Sequence, residues 1–221
     1  MNELVLFLEI LIIFSLLLIT KRFLGKEGVI AWVGIATVLA NIITAKNANI
    51  FGLSTAIGTV LFASTFLATD ILVENYSKKD AKKAVNIGLF SNIILIISTQ
   101  IALRYIPSEI DYANDAMQTL FGLNLRISLS SMVMYYLANT ADIFLFSKIK
   151  NKTQNKKLWL RNNVSTILCN CIENFGFIAL AFAGIYDFKT ILIIATSTSI
   201  IEIIVAILDT PFLYLSKLIR N

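Results

Sequence analysis

The chain contains no histidine, only two cysteines and few charges. Without histidine it lacks the commonest metal ligand and the usual general base near neutral pH. The cysteines, Cys169 and Cys171, stand two residues apart and would point to nearly opposite faces of a helix. They cannot form a metal clip or a disulfide framework, and they read as small apolar filler. Charged residues make up 15% of the chain, against roughly 25% in a soluble domain. None of the nine glycines falls in a G-x-x-x-x-G-K-[ST] loop, so ATP hydrolysis by that route is excluded. The first apolar run, residues 4–20, has no basic leader and is followed by Lys21 and Arg22 rather than a small-residue cleavage site, so no cleavable signal peptide is expected.

What is present is apolar. Hydrophobic residues make up 57% of the 221 positions, and the mean hydropathy is +0.77. Long runs of this kind mark membrane-spanning helices. The reading is an all-α polytopic membrane protein, one integral membrane domain over residues 1–221, with six to seven spans. Seven are read at about 4–20, 28–45, 53–73, 84–104, 121–147, 160–183 and 189–216, the first being the shortest and carrying Glu9.

Cations then order the connections. Lys21, Arg22 and Lys26 follow the first span, and Lys78, Lys79, Lys82 and Lys83 follow the third. Lys148, Lys150, Lys152, Lys156 and Lys157 follow the fifth, and the tail carries Lys217 and Arg220. Seven crossings put all four segments on one side, with the C-terminus cytoplasmic and the N-terminus outside. The longest outer loop, residues 105–124, is acidic through Glu109, Asp111 and Asp115, which agrees. The net charge of +5 therefore follows membrane orientation. No base-stacking aromatics are interleaved with the cations, so a nucleic-acid partner is not expected.

Carboxylates within the spans are the chemistry-bearing residues. One at the bilayer centre costs at least ~2.5–3.5 kcal/mol, yet Glu9, Asp70, Asp142, Glu173, Glu202 and Asp209 all lie in or near spans. The alternative to function is a helix–helix hydrogen bond or an ion pair with Arg126. Two segments echo one another: NTADIFLF at 139–146 and NCIENFGF at 170–177. Helical spacing puts Asn139, Asp142 and Phe146 on one face with Phe144 turned away. It does the same for Asn170, Glu173 and Phe177 with Phe175 away. Asn139 precedes Lys148 by nine residues and Asn170 follows Arg161 by nine. Both amides then sit roughly 13 Å from the cationic edge on antiparallel helices. Midplane sites at inverted repeats are where many transporters bind substrate. A carboxylate accepts two side-by-side donors, an amide both donates and accepts, and an aromatic ring offers a stacking face. Such faces suit a small planar heterocycle whose guanine-like edge would lie between Asp142 and Glu173; the same carboxylates could serve proton coupling.

Several of these motifs resemble a known family. TDILVENY (69–76) followed by SKKDAKK (77–83), NTAD (139–142), LWLRNNVST (158–166) running into Asn170 and Glu173, and DTPFLY (209–214) are similar to the hallmarks of the queuosine precursor transporter family, also called the vitamin uptake transporters. The similarity covers about residues 55–216. It implies an importer, in a bacterial inner membrane, of 7-deazaguanine bases such as preQ0, preQ1 or queuine. It also implies a helical fold like that of the substrate-binding components of energy-coupling-factor vitamin transporters. Binding roles carry over to Asp70, Glu74, Arg126, Asn139, Asp142, Arg161, Asn162, Asn170, Glu173 and Asp209. Three positions depart from the pattern. Ser77 stands in place of a glycine, a change confined to a turn, and Glu173 replaces an aspartate. Glu202 stands where a lysine is expected, seven residues before the DTP element. With that charge reversed, this chain either protonates a carboxylate or binds something more cationic.

No cofactor or metal is expected, and the partners are a small-molecule substrate and the lipid bilayer. The main reading is a secondary importer. The alternative is the capture subunit of a multi-component transporter energised by separate ATPases, for which the small-residue stretch 34–40 would offer a surface. That stretch also suits packing within one chain. An intramembrane enzyme is disfavoured by the lack of histidine, metal cluster or activated nucleophile. Oligomeric state is left open.

Overall fold

A computed structural model describes residues 1–122 and 125–219. Arg220 of the basic tail and Asn124 of the acidic loop lie outside the described residues. Among the described residues the chain forms seven helices and one two-stranded hairpin. In order these are α1 (Asn2–Ile43), β1 (Asn47–Ile50), β2 (Leu53–Ala56), α2 (Thr59–Asn75), α3 (Lys78–Ala102), α4 (Asn114–Phe121), α5 (Leu125–Lys152), α6 (Leu158–Phe182) and α7 (Phe188–Ser216). Four of them, α1, α3, α6 and α7, are long and apolar enough to cross a membrane. The all-α polytopic architecture read from the sequence is therefore the one observed.

The segments read as the first two spans meet at Gly25, which breaks α1 with φ 60° and ψ −145°. The break is a reversal. Asn2 donates its side-chain amide to the Asn49 carbonyl (2.8 Å), and Glu3 accepts from the Phe51 N–H (3.1 Å). The start of α1 thus lies beside the hairpin that follows its end, whereas a straight helix of 42 residues would separate its ends by about 63 Å. Only glycine adopts this backbone region without strain.

Two expected boundaries shift. Helix α2, read as the third span, begins at Thr59 rather than residue 53, because residues 47–56 pair as an antiparallel hairpin, and α5, read as the fifth, begins at Leu125 rather than residue 121. Phe51 and Gly52 turn the hairpin, both at positive φ; such a pair of turn residues matches the twist of the flanking strands. The acidic loop contains the short helix α4. Ser77 caps α3: its hydroxyl accepts from the Asp80 N–H and donates to the Asp80 carboxylate (2.7 Å). The Ser77 hydroxyl and Lys26 together hold the Asp80 carboxyl below the usual carboxylate range.

Helix α2 is the central post. It packs against α1, α3, α5 and α7, and nearly every side chain from Thr59 to Val73 is buried. That is why it tolerates Ser64, Thr65, Thr69 and Asp70: they face protein rather than lipid. Around it Phe14 of α1 meets Phe212 of α7 edge-to-face at 5.3 Å. Outward-facing positions on α1, α3 and α6, such as Leu11, Ile94 and Ile172, are large and apolar. The small-residue stretch after Gly34 is used internally, since a Cβ on Gly34 would meet Ser91 and Ile87 of α3.

Gly25→Ala should destabilise the fold by ~1–3 kcal/mol through backbone strain. This would be read as a lower thermal midpoint in detergent; an unchanged midpoint would show that the reversal is not set by that residue.

Candidate functional site

Polar residues run through the bundle in three tiers. The first is at the cationic end, where α2 finishes at Glu74. Its carboxylate lies 2.7 Å from Arg161 of α6, 3.2 Å from Lys150 of α5 and 3.0 Å from Lys217 after α7. Lys150 also donates to the carbonyls of Val73 and Glu74, covering the negative end of the α2 dipole. Arg161 is fully buried and stacks its guanidinium 5.5 Å from the Phe146 ring. Nearby, buried Lys21 donates to the carbonyls of Ser216 (2.6 Å) and Ile219 (2.9 Å), tying the α1 reversal to the end of α7. The cationic connections read as one side of the protein do converge on one end.

The second tier lies one turn deeper. Asp70, Asp142 and Asp209 are each fully buried. The Thr166 hydroxyl sits 3.5 Å from Asp70 and 3.4 Å from Asp142. Asp70 lies within hydrogen-bonding reach of Asp142 and in the field of Asp209. Asn162 donates to Asp209 at 2.6 Å and to Thr210 at 3.0 Å, and Asn163 donates to the same Thr210 hydroxyl at 2.8 Å. Each aspartate keeps one oxygen without a partner, as do the side-chain carbonyls of Asn139, Asn162 and Asn170. A buried unsatisfied acceptor costs ~1–3 kcal/mol, so this tier is an excess of acceptors awaiting donors.

The third tier lines a cavity of about 660 Å³ in the half of the bundle away from the cations. Glu173, Asn174 and Phe177 of α6 face it, with Glu202 of α7, Phe62 of α2 and residues of the β hairpin. Asn174 donates to Glu202 at 2.6 Å and to Ser199 at 3.3 Å. One Glu173 oxygen is buried with no partner.

The predicted faces of the two echoing segments are observed. Asn139, Asp142 and Phe146 are buried while Phe144 is 54% exposed. Asn170 and Glu173 are buried and Phe177 is half-buried, while Phe175 is exposed. The two acids nevertheless do not face one another. Asp142 lies beside Thr166, and Glu173 is seven residues further along α6, about 10 Å at helical rise. Glu173 and Phe177 reach the cavity; Asn139, Asp142 and Phe146 do not. Asp70, Asn162 and Asp209 join Asp142, and Glu74 and Arg161 form the cationic tier. Arg126 donates to the Leu180 and Ala183 carbonyls (2.7 and 2.8 Å) at the end of α6. Glu9 lines a separate small cavity of about 180 Å³ with Lys46. Sequence reasoning missed Asn174, although it adjoins Glu173 in the quoted segment, and it counted Lys150 and Lys217 only as topology markers.

Residues 56–216 match the family described as "Putative vitamin uptake transporter". The chain is also 35% identical, over 98% of its own length and 94% of the relative's, to a Bacillus subtilis protein named "Probable queuosine precursor transporter". The chain belongs to that family. A Haemophilus influenzae protein of the same name is 29% identical over 61% of this chain and 55% of its own. The Escherichia coli "Queuosine precursor transporter" is 27% identical over 61% and 58%. No solved structure matches. The motif resemblance noted above is thereby supported over nearly the whole chain.

Glu74→Gln would leave buried Arg161 without its counter-charge and should destabilise by ~3–5 kcal/mol. Lys217→Ala, at a side chain 45% exposed, should cost under ~1 kcal/mol. Thermal unfolding of the two variants side by side checks this, and equal losses would contradict the ranking.

Proposed function

We propose that this protein imports 7-deazaguanine precursors of queuosine across a bacterial inner membrane, binding the base in the cavity at Glu173. The observation that carries the reading is the 35% identity to the B. subtilis relative over nearly the full chain, joined to a cavity whose wall offers carboxyl groups, amides and aromatic rings. The chemistry fits. The ring N–H and exocyclic amine of a guanine-like edge are adjacent donors, and a carboxylate accepts both. Phe177 and Phe62 supply faces for the flat ring.

In this reading the aspartate tier is the moving part of the mechanism rather than the ligand contact. Asp70, Asp142 and Asp209 lie between the cavity and the cationic end, and their unpartnered oxygens are places to take up and release protons during transport. The cationic end is cytoplasmic by the positive-inside rule. The protein acts as a carrier and not as an enzyme. The capture-subunit alternative gains nothing from the small-residue stretch, because Gly34 is packed against α3.

Purified protein in liposomes should take up the base without any ATPase subunit. A base at 100 times its Kd should stabilise the protein by about 2.7 kcal/mol through mass action. Glu173→Gln should weaken binding by about tenfold or more, the loss of a charge-assisted hydrogen bond. Asp142→Asn should abolish uptake in a protein that still folds and inserts. Unaltered binding and uptake by both variants would refute the assignment.

A further inference from the structure

The charge of the cavity is one-sided. Among the described residues its wall carries two carboxyl groups, Glu173 and Glu202, each 7% exposed, and neither lysine nor arginine. None of the cations of that half, Lys46, Arg104, Arg126 and Lys189, lines it: Arg126 holds the last carbonyls of α6, and Lys46 lines the adjoining small cavity with Glu9. Two of the side-chain amides in the wall already have acceptors: Asn174 donates to Glu202 and Ser199, and Asn41 donates back to the Thr37 carbonyl of its own helix.

A guanine-like edge accounts for one of the two acids. Its paired donors need both oxygens of a single carboxylate. Glu173 suits that role, because one of its oxygens is buried without a partner. Glu202 is then left over. Its Oε2 is fixed by Asn174 at 2.6 Å, so it is oriented but not neutralised. A second carboxylate in the same buried space repels the first and is stabilised only by a positive charge or a proton. An ammonium group answers this need well, since it is a point charge with rotatable donors and requires no bidentate geometry.

We propose that the cavity selects precursor bases whose 7-substituent carries a protonated amine, with Glu173 holding the ring edge and Glu202 the ammonium. The uncharged nitrile-bearing base fills the same ring site but leaves Glu202 unanswered. This rests on the reading of the ligand as a 7-deazaguanine.

The test is calorimetric binding of preQ1, which bears an aminomethyl group, and preQ0, which bears a nitrile, to the purified full-length protein at neutral pH. PreQ1 should bind at least about tenfold tighter, as a charge-assisted hydrogen bond gives. Glu202→Gln should collapse that ratio to below about threefold. Equal wild-type affinities, or a ratio that survives Glu202→Gln in folded protein, overturn the inference while leaving the deazaguanine reading intact. If neither base binds, the reading itself fails and takes the inference with it. The wild-type ratio needs no variant, so it decides the matter even if Glu202→Gln does not fold.

Discussion

Glu74 is a single carboxylate on which three cationic side chains from three different parts of the chain converge. It is almost fully buried, and so is Arg161, its closest partner. Ions withdrawn this far from water are tolerated only when paired and hydrogen-bonded. The pairing therefore dictates where α5, α6 and the end of α7 can stand relative to α2. Lys21 repeats the device on the other side, reaching the last carbonyls of α7 from the reversal in α1. With one end of the bundle fastened in this way, the opposite end is free to hold a cavity.

Between the two ends the problem is inverted: acceptors outnumber donors. Thr166 and Asn162 serve three aspartates between them, and one oxygen on each aspartate goes without. A helix bundle optimised only for stability would fill such positions with apolar side chains, because a buried polar group left unpaired is a net loss. Their concentration along one line, from Glu74 through Asp70 and Asp142 to Glu173 and Glu202, is what a carrier needs and a static membrane anchor does not. The central helix α2 makes the line possible by keeping lipid away from it.

Much of this was legible in the sequence, for definable reasons. The all-α polytopic class and the convergence of the cations follow from hydropathy and charge spacing, which are one-dimensional properties. The inward faces of Asn139, Asp142, Asn170 and Glu173 follow from helical periodicity alone. Depth along a helix was harder to use. Two amides at equal distance from the cationic edge were correctly read on antiparallel helices, yet that arrangement sends Asp142 toward the cations and Glu173 away from them. A shared site between the two acids was not what antiparallel geometry provides. The hairpin at residues 47–56 escaped because its residues sit among apolar runs, and only Gly52 marks the turn. Asn174 escaped because its role depends on Glu202, 28 residues away on another helix.

The central claim is that the ligand lies in the cavity away from the cationic end, on Glu173, rather than at the aspartate tier. A structure of the protein bound to preQ1 tests it most directly. The base should appear against Phe177 with its ring edge on the Glu173 carboxylate. A base lodged instead among Asp70, Asp142 and Asp209 would contradict it.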